Sequence, residues 1–394
     1  MSILRPARGS CLAITLLFSV AVTGRTAFAA SEKVVFSFDA EPAEHYPVGG
    51  LYIDAKGNIF GAGKYGADIN FRKSGQYGFI YELTAGGKLK NLHQFIGIED
   101  GGGPVGTLIA DANGNLYGAS SRGRDGHAHN PTGGGSVFEI VPPNKFVTLA
   151  GFCCAYQPEG PGPVVFDASG DLIGQSAGGT GGLNSGMVFK VTPGVDGASM
   201  VFDLGNLDPG QQINGSGGLY QDPAGNLFGI ANVLEQSESF LFEVTEAGVE
   251  KTLYTFADGA QGPVIADSAG NFYGTSFAGG TSNVGYVFKV TTGGVMTVLH
   301  NFAGGADGSH PLGGLAMDAK GNLFGTTVEG GTANSGTVFQ IDNSGEETVL
   351  HTFSGGSDGE YPSGPLTFGK GGNLYGVTSQ GGPSDGGTIF EVIP

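Results

Sequence analysis

The chain has 394 residues, with 36 acidic against 18 basic side chains and a formal net charge of −18. Such a charge repels phosphate backbones and anionic lipid, so nucleic acid is not an expected partner. Glycine and proline number 76 and 19; unpatterned, that content would read as disorder, but here the glycines fall at fixed offsets and mark turns.

The N-terminus reads as a secretory signal. Arg5 and Arg8 precede an apolar run from Cys11 to Val22, too short to cross a bilayer. Ala27-Phe28-Ala29 is a cleavage site of the A-x-A kind. Residues 1–29 are therefore expected to be removed, which discards three arginines and no acid. Residues 30–394 are expected to be one exported domain, secreted or periplasmic, monomeric and without a membrane span. Cys153 and Cys154 then remain as an adjacent pair. Neighbours in a strand face opposite ways, which leaves two free thiols or a distorted vicinal disulfide.

Val34 to Phe38 is the first strand-like segment, and it has no hairpin partner beside it. After it, Asp-x-x-Gly-Asn-apolar-aromatic-Gly recurs at 54–61, 111–118, 222–229, 267–274 and 318–325. Asp167 to Gly174 and Gly369 to Gly376 are weaker copies, with Asp171 in place of Asn and Gly369 in place of Asp. Seven units spaced 45 to 57 residues apart indicate a solenoid, propeller or array.

Residues 312–354 show the unit most clearly. A strand ends at Asp318, a tight turn runs to Asn322, and a second strand covers Leu323 to Val328. A Gly-rich loop leads to a third strand at Gly336 to Ile341, and a fourth follows at Thr348 to Phe353. Four antiparallel strands make a propeller blade, here lettered a to d from the axis outward. Aspartate can accept from N–H groups just ahead of it and glycine can take positive φ, so the repeated turn is read as construction. The alternative, a calcium site, would need a denser oxygen set. Phenylalanines repeat on strands c and d, where they are expected to pack between blades. His93, His300 and His351 share one position on strand d and read as structural.

The fold expected is thus all-β, a seven-bladed propeller of four-stranded antiparallel blades. The last unit stops after strand c. The N-terminal strand, residues 33–39, is expected to supply the missing outer strand and close the ring, removing two open sheet edges.

The unit resembles that of the choice-of-anchor tandem repeat family of GloVer type: G-L-x-x-D-x-x-G-N-L-Y-G-T-T, then G-T-V-F, then T-x-L-x-x-F. Residues 313–353 match it closely, as do 264–302 and 364–390. The resemblance implies an exported bacterial β-repeat protein with no assigned reaction. Members are often anchored at the C-terminus; this chain ends at its last strand, which favours release. NHL-type and streptogramin-lyase-type propellers are more distant likenesses, and the lyase's catalytic residues are not placed on positions of this sequence.

Function is sought where the repeat breaks, on the face carrying the d–a and b–c loops. The b–c loop of blade two, Ser120 to Gly135, holds Arg122, Arg124, Asp125, His127, His129 and Asn130. It is either a solvated insertion or an anion-binding cluster. Two histidines fall short of a zinc site, so no metal and no cofactor is expected. Three d–a loops lead into proline: His45-Tyr46-Pro47, His310-Pro311 and Tyr361-Pro362. They belong to blades one, six and seven, consecutive around a ring, so their side chains could converge at the channel mouth. A non-enzymatic binding or scaffold module follows, with a glycan, small molecule or protein as partner. The alternatives are a lyase or hydrolase acting on an extracellular polysaccharide or small cyclic substrate, and a purely structural envelope protein.

Overall fold

Each Asp-x-x-Gly-Asn segment closes a hairpin with its own polar groups. Asp318 Oδ1 accepts from Lys320 N at 2.8 Å and Asn322 N at 2.9 Å, and Oδ2 accepts from Asn322 Nδ2 at 2.8 Å. The asparagine also ties this turn to the next one: Asn58 Oδ1 accepts from Ala85 N, between strands c and d. Where blade three has Asp171 instead, Lys190 bridges it and Asp167 at 2.6 and 3.0 Å. Where blade seven lacks the aspartate, Asn373 donates to Glu391 at 2.6 Å. These carboxylates are occupied by N–H and ammonium groups, which supports the structural reading of the repeat over the calcium one.

The computed structural model describes residues 30–39, 45–65, 77–97, 100–122, 134–152, 159–178, 185–215, 217–234 and 236–394. They form seven antiparallel sheets in strand order a-b-c-d. In blade six, for example, strand b is Leu323–Glu329, strand c Thr337–Ile341 and strand d Glu347–Thr352. The ring closes as the unpartnered strand predicts. Ser31–Ser37 pairs with Thr388–Ile393, from Ser31 opposite Ile393 to Ser37 opposite Thr388. The N-terminal strand is thus strand d of blade seven, two residues earlier than expected. The signal segment and the Cys153–Cys154 pair lie outside the described residues.

The final glycine of each repeat has a steric cause. Gly325 faces Phe339 across strands b and c, and a Cβ there would come within 2.5 Å of the Phe339 ring. The same glycine–aromatic pairing occurs in all seven blades. The aromatic lies over its glycine and also meets the phenylalanine that ends the neighbouring strand d. Phe302 packs edge-on to Phe339 at 5.1 Å, Phe353 to Phe390 at 5.0 Å, and Phe38 to Tyr81 at 5.2 Å. The aromatics therefore pack between blades, and the last of these contacts joins blade seven to blade one.

Strand a departs from the sequence reading. In blade six it is split into Ser309–Pro311 and Ala316–Met317, both paired with strand b. The His/Tyr-Pro segments are thus the start of the inner strand and not loop. In blade one the strand is continuous from His45 to Ile53. The short Gly-Gly-Leu pattern marks only the second half of this strand, so its first half is invisible to periodicity.

Candidate functional site

The residue before proline is held by the neighbouring blade. Its N–H donates to the carbonyl just ahead of the glycine that leads strand c one blade earlier. Tyr46 reaches Gly386, His310 reaches Val284 and Tyr361 reaches Ser335, at 2.8, 2.7 and 2.9 Å. Gly103 and Gly160 make the equivalent bonds to Tyr77 and Gly134. The proline then lies on the leading glycine, where a Cβ on Gly336 would approach Pro362 Cδ to 2.6 Å.

This docking fixes a left-handed backbone. Gly103, Gly160 and Gly259 have φ of 61°, 57° and 70° at this position. Tyr46, His310 and Tyr361 adopt the same conformation, with φ of 56°, 59° and 56°. For a side chain with a Cβ the left-handed region costs about 1–2 kcal/mol, and a bulky residue there is a genuine outlier. Asn283, Asn334 and Asp385 are also left-handed, but these residue types are at ease there, and each side chain accepts from a backbone N–H four residues back. Tyr46 and Tyr361 are bulkier than the residue types usually found there, and such strain clusters at functional sites.

These positions border the axial channel. Two or three residues further along the same strands, a cavity of about 400 Å³ lies on the axis. Gly49, Gly106, Pro163, Leu219, Pro263, Gly313 and Gly364 line it, one from each blade. Its walls are mainly apolar, with Thr107 and Ser363 adding hydroxyls. Above it, the His310 ring stands 4.6 Å from the partly exposed Phe277 ring, and its Nδ1 lies 3.3 Å from Glu329 Oε2. That Nδ1 is buried and makes no hydrogen bond.

Arg122 ends strand b of blade two and is exposed. Its stem passes the Gly103 position, with Cδ 3.7 Å from where a Cβ would stand. The structure thus sets Arg122 beside the blade-two equivalent of Tyr46. His45 opens strand a opposite Tyr65, and its side chain, like all of Arg124, Asp125, His127 and His129, lies outside the described residues.

The strand-d histidines have aspartate partners, each seven residues further on, a recurring spacing that the sequence reading did not use. His93, His300 and His351 lie 2.9, 3.0 and 3.3 Å from Asp100, Asp307 and Asp358. Each aspartate also accepts from a backbone N–H at the start of its own loop, from Ile96, Ala303 and Ser354. The pair therefore clips strand d to the entry of the following blade. Two glutamates from the next outer strand join it, giving His300–Asp307–Glu347 and Glu32–His351–Asp358. Burial, with the Asp307 charge added, pushes Glu347 up to about 7. Burial and Asp358 push Glu32 up to about 7 as well. Glu347 and Glu32 hold one repeat position on strand d, shared by Glu250; Glu347 reaches its pair by the packing of adjacent blades, and Glu32 by ring closure.

The profile of the Gloeobacter/Verrucomicrobia repeat matches residues 47–265 and 258–394. The chain belongs to that family. No curated protein matches it in sequence. Among solved structures, the repeat domain resembles the extracellular domain of a one-component system from B. thetaiotaomicron, at TM-score 0.55 and 14% identity. That match covers 92% of this chain but only 41% of the other. It also resembles the polysaccharide lyase Uly1, at TM-score 0.55 and 12% identity over 91% of each chain. A Lactobacillus plantarum protein matches at TM-score 0.51 and 15% identity, over 82% of this chain and 88% of that one. At these identities the likeness establishes the propeller fold of this family member and nothing about its chemistry. Among the described residues, no helix is long and apolar enough to cross a membrane.

Proposed function

We propose that this repeat protein is an exported, monomeric, non-enzymatic binding module that takes a neutral glycan at the loop-face mouth of its channel. The observation that carries the reading is the backbone strain at Tyr46, His310 and Tyr361, in a position where three other blades place glycine. Keeping rings there at an energetic cost requires a return, and ligand contact supplies one. Tyrosine, histidine and Phe277 offer flat faces to the C–H face of a sugar, and the apolar cavity below would accept a terminal group. The overall charge of −18 disfavours a polyanion.

Thermal-shift measurements on residues 30–394 with a panel of neutral oligosaccharides test this. A sugar should raise the melting temperature, and Tyr361→Gly with His310→Gly should abolish that rise. A rise that survives both substitutions would move the site elsewhere, and the lack of any rise across the panel would end the glycan reading.

A second reading rests on His310 Nδ1 lying 3.3 Å from Glu329 Oε2. Glu329 on one side of the ring would orient His310 so that its other nitrogen takes a proton from a sugar carbon next to a carboxylate, with Tyr361 protonating the leaving oxygen. Release of unsaturated product from a uronate polymer, lost in His310→Ala, would favour this lyase over the binding module.

A further inference from the structure

The outer rim carries two clusters that neither the turns nor the channel accounts for. At the junction of blades five and six, His300, Asp307 and Glu347 each present a ligand atom within 4.8 Å of the other two. At the junction of blades six and seven, His351, Asp358 and Glu32 do the same. The two sets are equivalent by repeat: Glu347 stands opposite Ile341 on its blade, and Glu32 opposite Val392 on the next.

Hydrogen bonding leaves both sets incomplete. Glu347 Oε1 and Glu32 Oε1 are buried oxygens with no hydrogen-bond partner, and His351 Nε2 is a buried nitrogen in the same condition. An orphaned buried polar atom is uncommon and needs a cause. Two carboxylates so close repel when both are charged, and a proton on one of them or a cation between them relieves this.

A third junction serves as an internal control. Between blades one and two the His93–Asp100 pair is kept, at 2.9 Å. There the position of Glu347 is held by Phe146, opposite Ile140, and its ring stacks on His93 at 3.7 Å. The His–Asp clip therefore works without a third ligand. Blade four also carries a glutamate at this position, Glu250 opposite Val244, where it is exposed; among the described residues a glutamate joins a His–Asp pair at two junctions.

We propose that each of these two clusters binds one divalent zinc-class ion through His Nε2, Asp Oδ1 and Glu Oε1, with water in the fourth position. Imidazole with carboxylate oxygens suits zinc and its neighbours better than calcium or magnesium. Around a tetrahedral ion with bonds of about 2.0 Å, ligand atoms stand roughly 3.3 Å apart. The His–Asp separations of 3.0 and 3.3 Å already have that spacing; each glutamate offers an oxygen within 4.8 Å and would close in on the ion. The ion would fasten three elements at once: a strand d, the loop that follows it, and the next strand d. At the second site that last element is the N-terminal closing strand, so metal would lock the ring itself.

Isothermal titration of chelator-treated protein, residues 30–394, with zinc chloride tests the proposal. Two ions per chain are expected, falling to one in Glu347→Gln, to one in Glu32→Gln and to none in the double variant. Glutamine keeps the side-chain volume, and circular dichroism with a melting curve checks that each variant folds. Cobalt should give the visible absorption of low-coordinate nitrogen–oxygen ligation, also lost in the double variant. No binding by the folded wild type would overturn the proposal. So would zinc binding unchanged in the double variant, which would place the ion elsewhere.

Discussion

Replacing Tyr361 by glycine and, separately, by alanine isolates the backbone strain at the channel mouth. Both substitutions remove the ring, so lost packing largely cancels between them. Alanine keeps a Cβ in the left-handed conformation at φ 56°, which costs about 1–2 kcal/mol. Glycine avoids that cost but loses about 0.4–1 kcal/mol to its freer unfolded chain. The glycine variant should therefore be the more stable by about 0.5–1 kcal/mol, the reverse of the order at an ordinary strand position. Gly160 supplies the converse test. Its φ is 57° and a Cβ there would meet nothing nearer than Ala177 Cβ at 3.6 Å, so Gly160→Ala should cost a similar amount from backbone alone. Treating Tyr46, His310 and Tyr361 together brings the Gly–Ala difference to about 2 kcal/mol if the blades add. For a domain of this length that is roughly 2–3 °C in melting temperature, well within reach of differential scanning calorimetry. Alanine variants as stable as the glycine ones would refute the strain, and with it the argument from strain to ligand contact.

Removing residues 30–39 should open the ring, exposing the edge of Thr388–Ile393 and the Tyr81 ring covered by Phe38; a melting temperature equal to the parent's would contradict closure. Asp318→Ala removes the acceptor of three hydrogen bonds and should cost about 2 kcal/mol in denaturant unfolding. The pH dependence follows from the same turns. Burial alone would raise the carboxyls of Asp54, Asp111, Asp267 and Asp318, but hydrogen bonds from their asparagines and neighbouring N–H groups outweigh it and hold all four low. Their stabilisation is full above the unfolded value of about 3.9 and is lost as pH falls through the folded values. Melting curves from pH 6 down to 2.5 should thus show a decline below about pH 4 that is shallower in Asp318→Ala. Gly325→Ala would bring a methyl to 2.5 Å from the Phe339 ring and should destabilise by about 1–3 kcal/mol, with Phe339→Leu in the same chain recovering part of it.

The sequence by itself determined the blade. An aspartate that caps its own turn, an asparagine that ties two turns, and a glycine beneath a cross-strand aromatic are short-range devices, so they repeat at readable offsets. The blade count and the role of the N-terminal strand followed from the same register, because an unpaired strand and a three-stranded blade complete each other. Only the tertiary structure decided what happens between blades. It placed Tyr46, His310 and Tyr361 in a left-handed backbone, because the hydrogen bond that holds each one comes from the blade before. It turned three histidines that look merely repetitive into His–Asp clips, and it brought Glu32 within 4.8 Å of residues more than 300 positions away. Most of these contacts do recur at constant offsets, as each histidine and its aspartate do, but an offset alone does not say that the two residues meet; the closing contacts of Tyr46 and Glu32 fall outside the repeat altogether.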